Sequence, residues 1–430
     1  MLHRSDFVIS TLGECTIPSP ITDQTFVSDA ETVSYFTDVA QIKSYIDRGE
    51  DVPAFEHAGP RQMIYHNPAW CRAAILTAGG LCPGLNEVIK FLTLSLYRDY
   101  GVHDIYGIRY GYRGLNPARN LAPVRLTPEV VDDIHDKGGS ILGSSRGAED
   151  TGLIVDSLKR LGVNLLFCIG GDGTSRCAHE IAEEIMVRQL PISVVAIPKT
   201  IDNDISFIDR TFGFSTAVRR AEQFVSGAHN EAKGAYNGLS LIKVMGRDSG
   251  FIAAYTALAN PYINYCLIPE SPFSLDEPGD PKALLPHLVE RMNLKHHAVI
   301  IVAEGAGQNL FASRERKKDA SGNILHEDIG IFLKNEINKY FKSRKIELNL
   351  KYFDLGYTIR SVRAEGDDAV FCATLAQSAA HAAMAGKTDV MVGHWSGMFT
   401  HVPIALATKQ RKKLDLHTPL WSCVESLTCF

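Results

Sequence analysis

The sequence predicts an α/β protein of two lobes, each with a mainly parallel sheet flanked by helices, plus an N-terminal extension. Three observations carry that expectation. From Arg72 onward, short apolar runs alternate with amphipathic stretches, the βα pattern of a parallel sheet covered on both faces. Nearly every glycine-rich or charged motif sits where an apolar run ends, and in open α/β sheets ligands collect outside the carboxyl ends of strands. The chain of 430 residues also exceeds one ordinary domain.

Composition narrows the classes further. A hydrophobic fraction of 45% suits a globular protein with a sizeable core. Lys and Arg number 44 against 49 Asp and Glu, a net charge of −5, so nothing global advertises nucleic-acid binding; a local basic patch around an anionic substrate stays open. The nine cysteines form no C-x-x-C pair and no zinc-like spacing, which reads as reduced core thiols. No apolar stretch approaches the ~18 residues needed to span a bilayer, and "MLHRSDFVISTLGE" lacks the apolar region of a signal peptide. The expected location is cytoplasmic, with no nucleic acid and no membrane as partner.

Residues 1–70 are rich in acids and weak in strand signals, and read as an extension packed on the main body. The first strand is "AAILTA", 73–78, and it runs into "TAGGLCPGLNEVI" with Gly79, Gly80, Pro83 and Gly84 ahead of the helix "NEVIKFLTLSLYRDY". Bare backbone N–H groups can approach an anion there, and the helix N-terminus adds its positive end. A tight βα turn without a ligand would use the same glycines. "LGSSRG" then places Arg146 after a turn.

The strand "LLFCI", 165–169, leads into "IGGDGTSRCAHE". Asp172 can hold a magnesium ion while Gly170, Gly171 and Gly173 leave room for a polyphosphate along the backbone. The strand "ISVVAI", 192–197, leads into "IPKTIDNDI", where Asp202 and Asp204 lie two apart beside Lys199 and Thr200. Such a pair can divide its labour, one acid accepting a proton from an attacking hydroxyl and the other organising metal or water. A carboxylate is far less basic than an alkoxide, so the proton moves late and positioning matters more than base strength.

The helix "STAVRRAEQFVSGAHNEA" precedes the strand "LSLIKVM", 239–245, whose end carries Met245, Gly246 and Arg247. The strand "AVIIVA", 298–303, ends at Glu304; the helix "IGIFLKNEINKYFKS" and then "LGYTIRS" follow, the latter with Tyr357 and Arg360; "DVMVG", 389–393, closes the series. Arginine forks bind phosphate oxygens bidentately, so three of them at strand ends with one acid fit a sugar phosphate. His296 and His297 read as a solvated turn, "KQRKK" at 409–413 as a solvated face, and "GDD" at 366–368 as a helix N-terminus whose acids suit the macrodipole.

With these residues assembled, the stretch from 72 to about 400 resembles the 6-phosphofructokinase family. It carries, in that family's order, "GGLCPGLN", "GSSRG", "GGDGT", "PKTIDNDI", "GFSTA", "VMGRDSG", "AEGAGQ" and "LGYTIR". The resemblance implies a phosphofructokinase-like fold, with a donor-binding lobe over 71–206 and 361–408, a sugar-phosphate lobe over 207–360 and a tail over 409–430. It implies that Gly80, Arg146, Gly147, Gly171, Asp172, Gly173 and Thr174 bind the phosphoryl donor, with Asp172 on Mg2+. Thr200, Ile201 and Asp202 would meet the sugar at its 1-hydroxyl, Asp202 accepting the proton, and Lys199 and Arg247 would complete the catalytic set. Met245, Gly246, Arg247, Glu304, Tyr357, Thr358, Ile359 and Arg360 would hold fructose 6-phosphate. A homo-oligomer, dimer or tetramer, is implied as well.

Two positions bear on the donor and point apart. Lys199 is similar to pyrophosphate users, whereas Gly173 is similar to ATP users, which lack the second aspartate found there in pyrophosphate enzymes. A carboxylate at 173 would fill space and add negative charge where the α-phosphate of a nucleotide must run. Gly173 therefore takes the greater weight, and the pattern resembles the atypical ATP-dependent branch of the pyrophosphate-type lineage. The expected activity is ATP-dependent phosphorylation of fructose 6-phosphate to fructose 1,6-bisphosphate, the committing step of glycolysis. The alternatives are a pyrophosphate-dependent phosphotransferase, a silent regulatory subunit, which should lack Asp172, Asp202 or Arg247, and a NAD or lipid kinase, which should lack "PKTIDND".

Overall fold

Parallel strands buried on both faces need near-continuous apolar runs, and such runs build the centre of the larger sheet. In the computed structural model, which describes residues 2–147, 149–311 and 325–429, that sheet is nine-stranded. Its order is Thr32–Ser34, Ala54–His57, Met398–Pro403, Val390–Trp395, Ser193–Pro198, Leu165–Gly170, Arg72–Thr77, Asp104–Ile108 and Val124–Arg125. The five strands from Val390–Trp395 to Asp104–Ile108 pair in parallel, and the flanking strands run antiparallel. A second sheet, wholly parallel, is ordered Tyr265–Leu267, His297–Ala303, Gly238–Val244 and Asn349–Asp354.

The chain divides into two compact units. The first comprises Met1–Thr200, Ile205–Gly213 and Val362–Arg411; the second comprises Ile201–Asp204, Phe214–Ser361 and Lys412–Phe430. Within the first, the N-terminal residues add two short strands to the large sheet, which their sequence scarcely announces. Within the second, the helix Pro419–Leu427 packs on the helix Phe251–Ala259 and buries Trp421. Helix ends follow local chemistry: Asp328 accepts from Ile331 N at 3.1 Å to cap Ile329–Ser343, and Asp150 accepts from Leu153 N at 2.8 Å to cap Thr151–Leu161. None of the nine cysteines forms a disulfide, and burial pushes the Cys168 and Cys177 thiols up to about 12, so both stay protonated.

Buried charge fastens the extension to the large sheet. Arg61 meets Asp29 at 2.7 Å and Glu56 at 2.8 Å, Lys387 meets both acids at 3.0 Å, and His401 Nδ1 lies 2.8 Å from Glu56. Burial opposes the charge of Glu56, yet His401 and Lys387 bring its pKa down to about 2 from an ordinary 4.5. A carboxylate depressed in this way contributes stability above its unfolded pKa and loses that contribution as pH falls toward the folded value. Glu56→Gln should therefore lower Tm at pH 7 by roughly 3 to 8 °C. Its gap to the parent protein should narrow as pH falls from 4.5 toward about 2, a profile that differential scanning fluorimetry follows.

Candidate active site

In the first unit, three glycine-rich or charged loops meet beyond the ends of neighbouring strands. Gly79 follows the strand Arg72–Thr77 with φ 87°, and a Cβ there would lie 3.7 Å from Lys199 Nζ and 3.9 Å from Thr174 Oγ1. Gly79 of "TAGG", Thr174 of "GGDGT" and Lys199 thus converge on one spot within the first unit. Ser144 Oγ donates to the Gly79 carbonyl at 2.6 Å and Gly79 N donates to the Ser145 carbonyl at 3.0 Å, which draws "GSSRG" onto the same loop. Gly147 follows in left-handed backbone with φ 103°, and among the described residues no carboxylate pairs with the Arg146 guanidinium. Gly84 has a packing role: a Cβ there would press to 2.6 Å from Cys372 Sγ at the start of the helix Leu85–Leu94.

The helix Asp172–Val187 starts on Gly171 as its N-cap. Gly170 is required by close approach, since a Cβ there would sit 2.3 Å from Thr174. Gly173 is different, because a Cβ at that position meets nothing within 4 Å. Lys199 is buried, and its N–H donates to the Gly170 carbonyl at 2.9 Å. The Asp172 carboxylate is gripped by Arg176 one turn along its own helix and by Arg411 Nη2 at 3.4 Å.

The "KQRKK" run is thus not a fully solvated face: Arg411 has a side chain only 21% exposed and is held against Asp172. Sequence offers no signal for a contact spanning 239 positions, whereas Arg176 at i+4 from Asp172 could have been read from helical spacing.

The second unit takes the acid-bearing segment Ile201–Asp204, all buried. Ser249 Oγ donates to the Asp202 carbonyl at 3.3 Å and to the Gly246 carbonyl at 3.0 Å, while Lys412 N donates to the Asp204 carbonyl at 2.9 Å. The Gly238–Val244 strand ends in a loop that only glycine permits: a Cβ on Gly246, φ 142°, would lie 2.3 Å from the Ser249 carbonyl oxygen. Arg247 takes a left-handed φ of 45°, and its N–H donates to Glu304 Oε1 at 3.1 Å. Glu304 therefore holds backbone as well as facing the loop in which its acid function was expected.

Met245 meets Arg360, whose Nη1 approaches Sδ at 3.8 Å, and the Arg360 guanidinium stacks 4.8 Å from the centre of the Tyr357 ring. Tyr357 itself is 73% exposed, Ile359 is buried, and Thr358 Oγ1 donates to the Leu355 carbonyl at 3.1 Å. Lys243, which reaches Asp328 and Asp354 at 2.9 Å each, fixes the end of the strand from which this segment departs. Among the described residues no carboxylate pairs with Arg247 or Arg360, unlike Arg61 and Arg188 elsewhere. Guanidiniums left in this state at strand ends are available to phosphate oxygens.

Among the described residues no cluster of three or more His, Cys, Asp or Glu could hold a metal unaided. Asp172 fits a cation that shares its other ligands with phosphates and water, which is how magnesium is ordinarily bound beside a polyphosphate.

Comparison with known proteins bears on the whole chain. Residues 72–383 match the family model for phosphofructokinase. An "ATP-dependent 6-phosphofructokinase" of Borreliella burgdorferi is 48% identical over 98% of this chain and 96% of its own length, and one of Amycolatopsis methanolica is 43% identical over 100% and 95%. Among solved structures, a pyrophosphate-dependent phosphofructokinase of Marinobacter aquaeolei aligns with a TM-score of 0.66 at 19% identity, covering 83% of this chain and 91% of that one. A phosphofructokinase of Saccharomyces cerevisiae aligns at 0.63 and 20%, covering 84% and 47%. At such identities the structural likeness speaks for the fold alone.

Proposed function

The chain belongs to the phosphofructokinase family, and from that premise we propose how its residues carry out ATP-dependent phosphorylation of fructose 6-phosphate at the 1-hydroxyl. The activity is that of a kinase of glycolysis, in line with the full-length relatives. The observation that carries the donor assignment is the convergence of Gly79, Thr174 and Lys199 beside the open space at Gly173.

The glycine backbone cradles the phosphates, Arg146 and Lys199 offset their charge, and Asp172 presents an oxygen to Mg2+. When bound, Mg2+ would neutralise charge on the donor's phosphates. Arg247 and Arg360, with Met245 between strand end and guanidinium, hold the sugar phosphate, and Thr200 and Asp202 orient the 1-hydroxyl. Asp202 accepts the proton as the 1-hydroxyl oxygen bonds to the γ-phosphorus of ATP and the bond from that phosphorus to the β–γ bridging oxygen breaks, releasing ADP, so that most of the barrier is lowered by positioning and fixed charge. No described helix is long and apolar enough to cross a membrane; we assign the enzyme to the cytoplasm and to a homo-oligomer, which size-exclusion chromatography with light scattering would size.

Initial rates with fructose 6-phosphate and Mg2+, one sample given ATP and another pyrophosphate, test the donor. Fructose 1,6-bisphosphate with ATP alone is the expected result. Product with pyrophosphate alone would mean that buried Lys199 decides the donor and that Gly173 does not.

A further inference from the structure

Residues 205–213 leave the acid-bearing segment directly and run to the helix Phe214–Lys233. Nine residues without a strand or helix would ordinarily be mobile, yet this stretch is pinned nearly residue by residue. Ile205 bridges to Arg411, Asp209 N donates to the His394 carbonyl at 3.0 Å, and Asp209 carboxylate oxygens meet His394 Nδ1 at 2.6 Å and Ser396 N at 2.9 Å. Arg210 reaches Asp367 at 2.6 Å, and Thr211 Oγ1 donates to the Thr200 carbonyl at 2.8 Å.

At the centre of the stretch, Phe207 holds a left-handed φ of 62°, a conformation that a bulky residue adopts only when its surroundings impose it. Three aromatic side chains of the N-terminal extension lie against its ring. The Phe207 ring lies 5.9 Å from Phe7, 5.6 Å from Tyr35 and 6.5 Å from Phe55, centre to centre. Tyr35 is itself fixed by stacking on Trp395 at 5.2 Å, and its carbonyl accepts from Trp395 Nε1 at 3.0 Å. Phe7 and Phe55 are buried.

We propose that the N-terminal extension is a positioning element for catalysis: Phe7, Tyr35 and Phe55 form an aromatic cage that keeps Phe207 left-handed and so sets the path of the backbone leading out of Asp202–Asp204. This rests on the reading of Asp202 as proton acceptor. Because a displacement of about 1 Å at a reacting group costs up to about a hundredfold in rate, a cage remote from substrate controls turnover. Fixing the same loop merely for stability would use any apolar contact and would not need a strained residue.

The test compares Tyr35→Ala and Phe7→Ala with the same substitutions in a Phe207→Asn background, since Asn tolerates left-handed backbone and frees the loop from the cage. In the parent background each single variant should lower kcat about tenfold with KM for ATP unchanged, and hydrogen–deuterium exchange should quicken in residues 203–213 while the 165–170 and 193–198 strands stay protected. In the Phe207→Asn background the same changes should alter kcat by less than about twofold. Unchanged kcat with an unchanged loop, or an equal loss in both backgrounds, overturns the proposal. Tyr35→Leu, which retains apolar bulk, supplies the exchange measurement if the alanine variant does not fold. Exchange of the loop is read without substrate, so an enzyme that made no fructose 1,6-bisphosphate would overturn the functional reading and leave this test standing.

Discussion

Replacing Asp202 by Ala is expected to lower kcat by about 10²- to 10⁴-fold, the range that a positioned general base contributes, while KM for fructose 6-phosphate changes by less than about threefold. The asymmetry follows from what the carboxylate is asked to do. In the proposed mechanism it would not hold the sugar phosphate, a task given there to Arg247 and Arg360; it would receive a proton as the 1-hydroxyl oxygen bonds to phosphorus. That interaction exists in the transition state and hardly at all in the bound ground state, so its loss falls on kcat. Asp202 is buried and its backbone carbonyl accepts from Ser249 Oγ at 3.3 Å, a tie that an alanine retains. Asp202→Asn separates charge from shape and should be nearly as impaired. Steady-state kinetics with circular dichroism as a check on folding decide the matter; near-parent turnover in both variants would pass the base role to Asp204, whose carbonyl is fixed by Lys412 N at 2.9 Å.

The parts of this molecule that sequence discloses are those whose cause is local. The strands Leu165–Gly170 and Ser193–Pro198 announce themselves as unbroken apolar runs because both faces are buried, and the helix Ile329–Ser343 does so by its 3.6 period and its Asp328 cap. Asp104–Ile108 carries a glycine among five residues, and Asn349–Asp354 has no buried residue and no alternation of burial, so neither stands out. Ala54–His57 is a strand because Met398–Pro403, hundreds of residues away, offers it an edge, and Thr32–Ser34 is one because it pairs in turn with Ala54–His57. The site divides in the same way. Glycines 79, 170 and 246 were legible as loop residues at strand ends, although Gly84 proves to serve packing. Arg411 on Asp172 and the cage around Phe207 were not legible, because each joins segments that only the folded chain brings together.

Gly173→Asp is expected to lower kcat/KM for ATP by about a hundredfold and to shift preference toward pyrophosphate. No structural requirement explains glycine at this position. It is the second residue of a helix, where glycine costs up to about 1 kcal/mol against alanine, where an acid would be favoured by the macrodipole, and where a Cβ meets nothing within 4 Å. An aspartate should therefore fold there and leave Tm unchanged or slightly raised. Its cost is electrostatic. If a carboxylate at 173 came within about 5 Å of the α-phosphate of ATP, it would, at an effective dielectric constant near 20, oppose binding by about 3 kcal/mol. Pyrophosphate has no α-phosphate and no nucleoside to place along the helix start, so it escapes most of that penalty, and Lys199 Nζ near Gly79 remains to neutralise it. Gly173→Ala supplies the control: a methyl group meets no protein atom, so a small loss with ATP and none with fructose 6-phosphate isolates charge from volume. Parallel titrations of ATP and pyrophosphate read the ratio. If Gly173→Asp used ATP as well as the parent does, the bare loop would not be what admits the nucleotide, and donor choice would have to be sought in Lys199 or in the pair of arginines on Asp172.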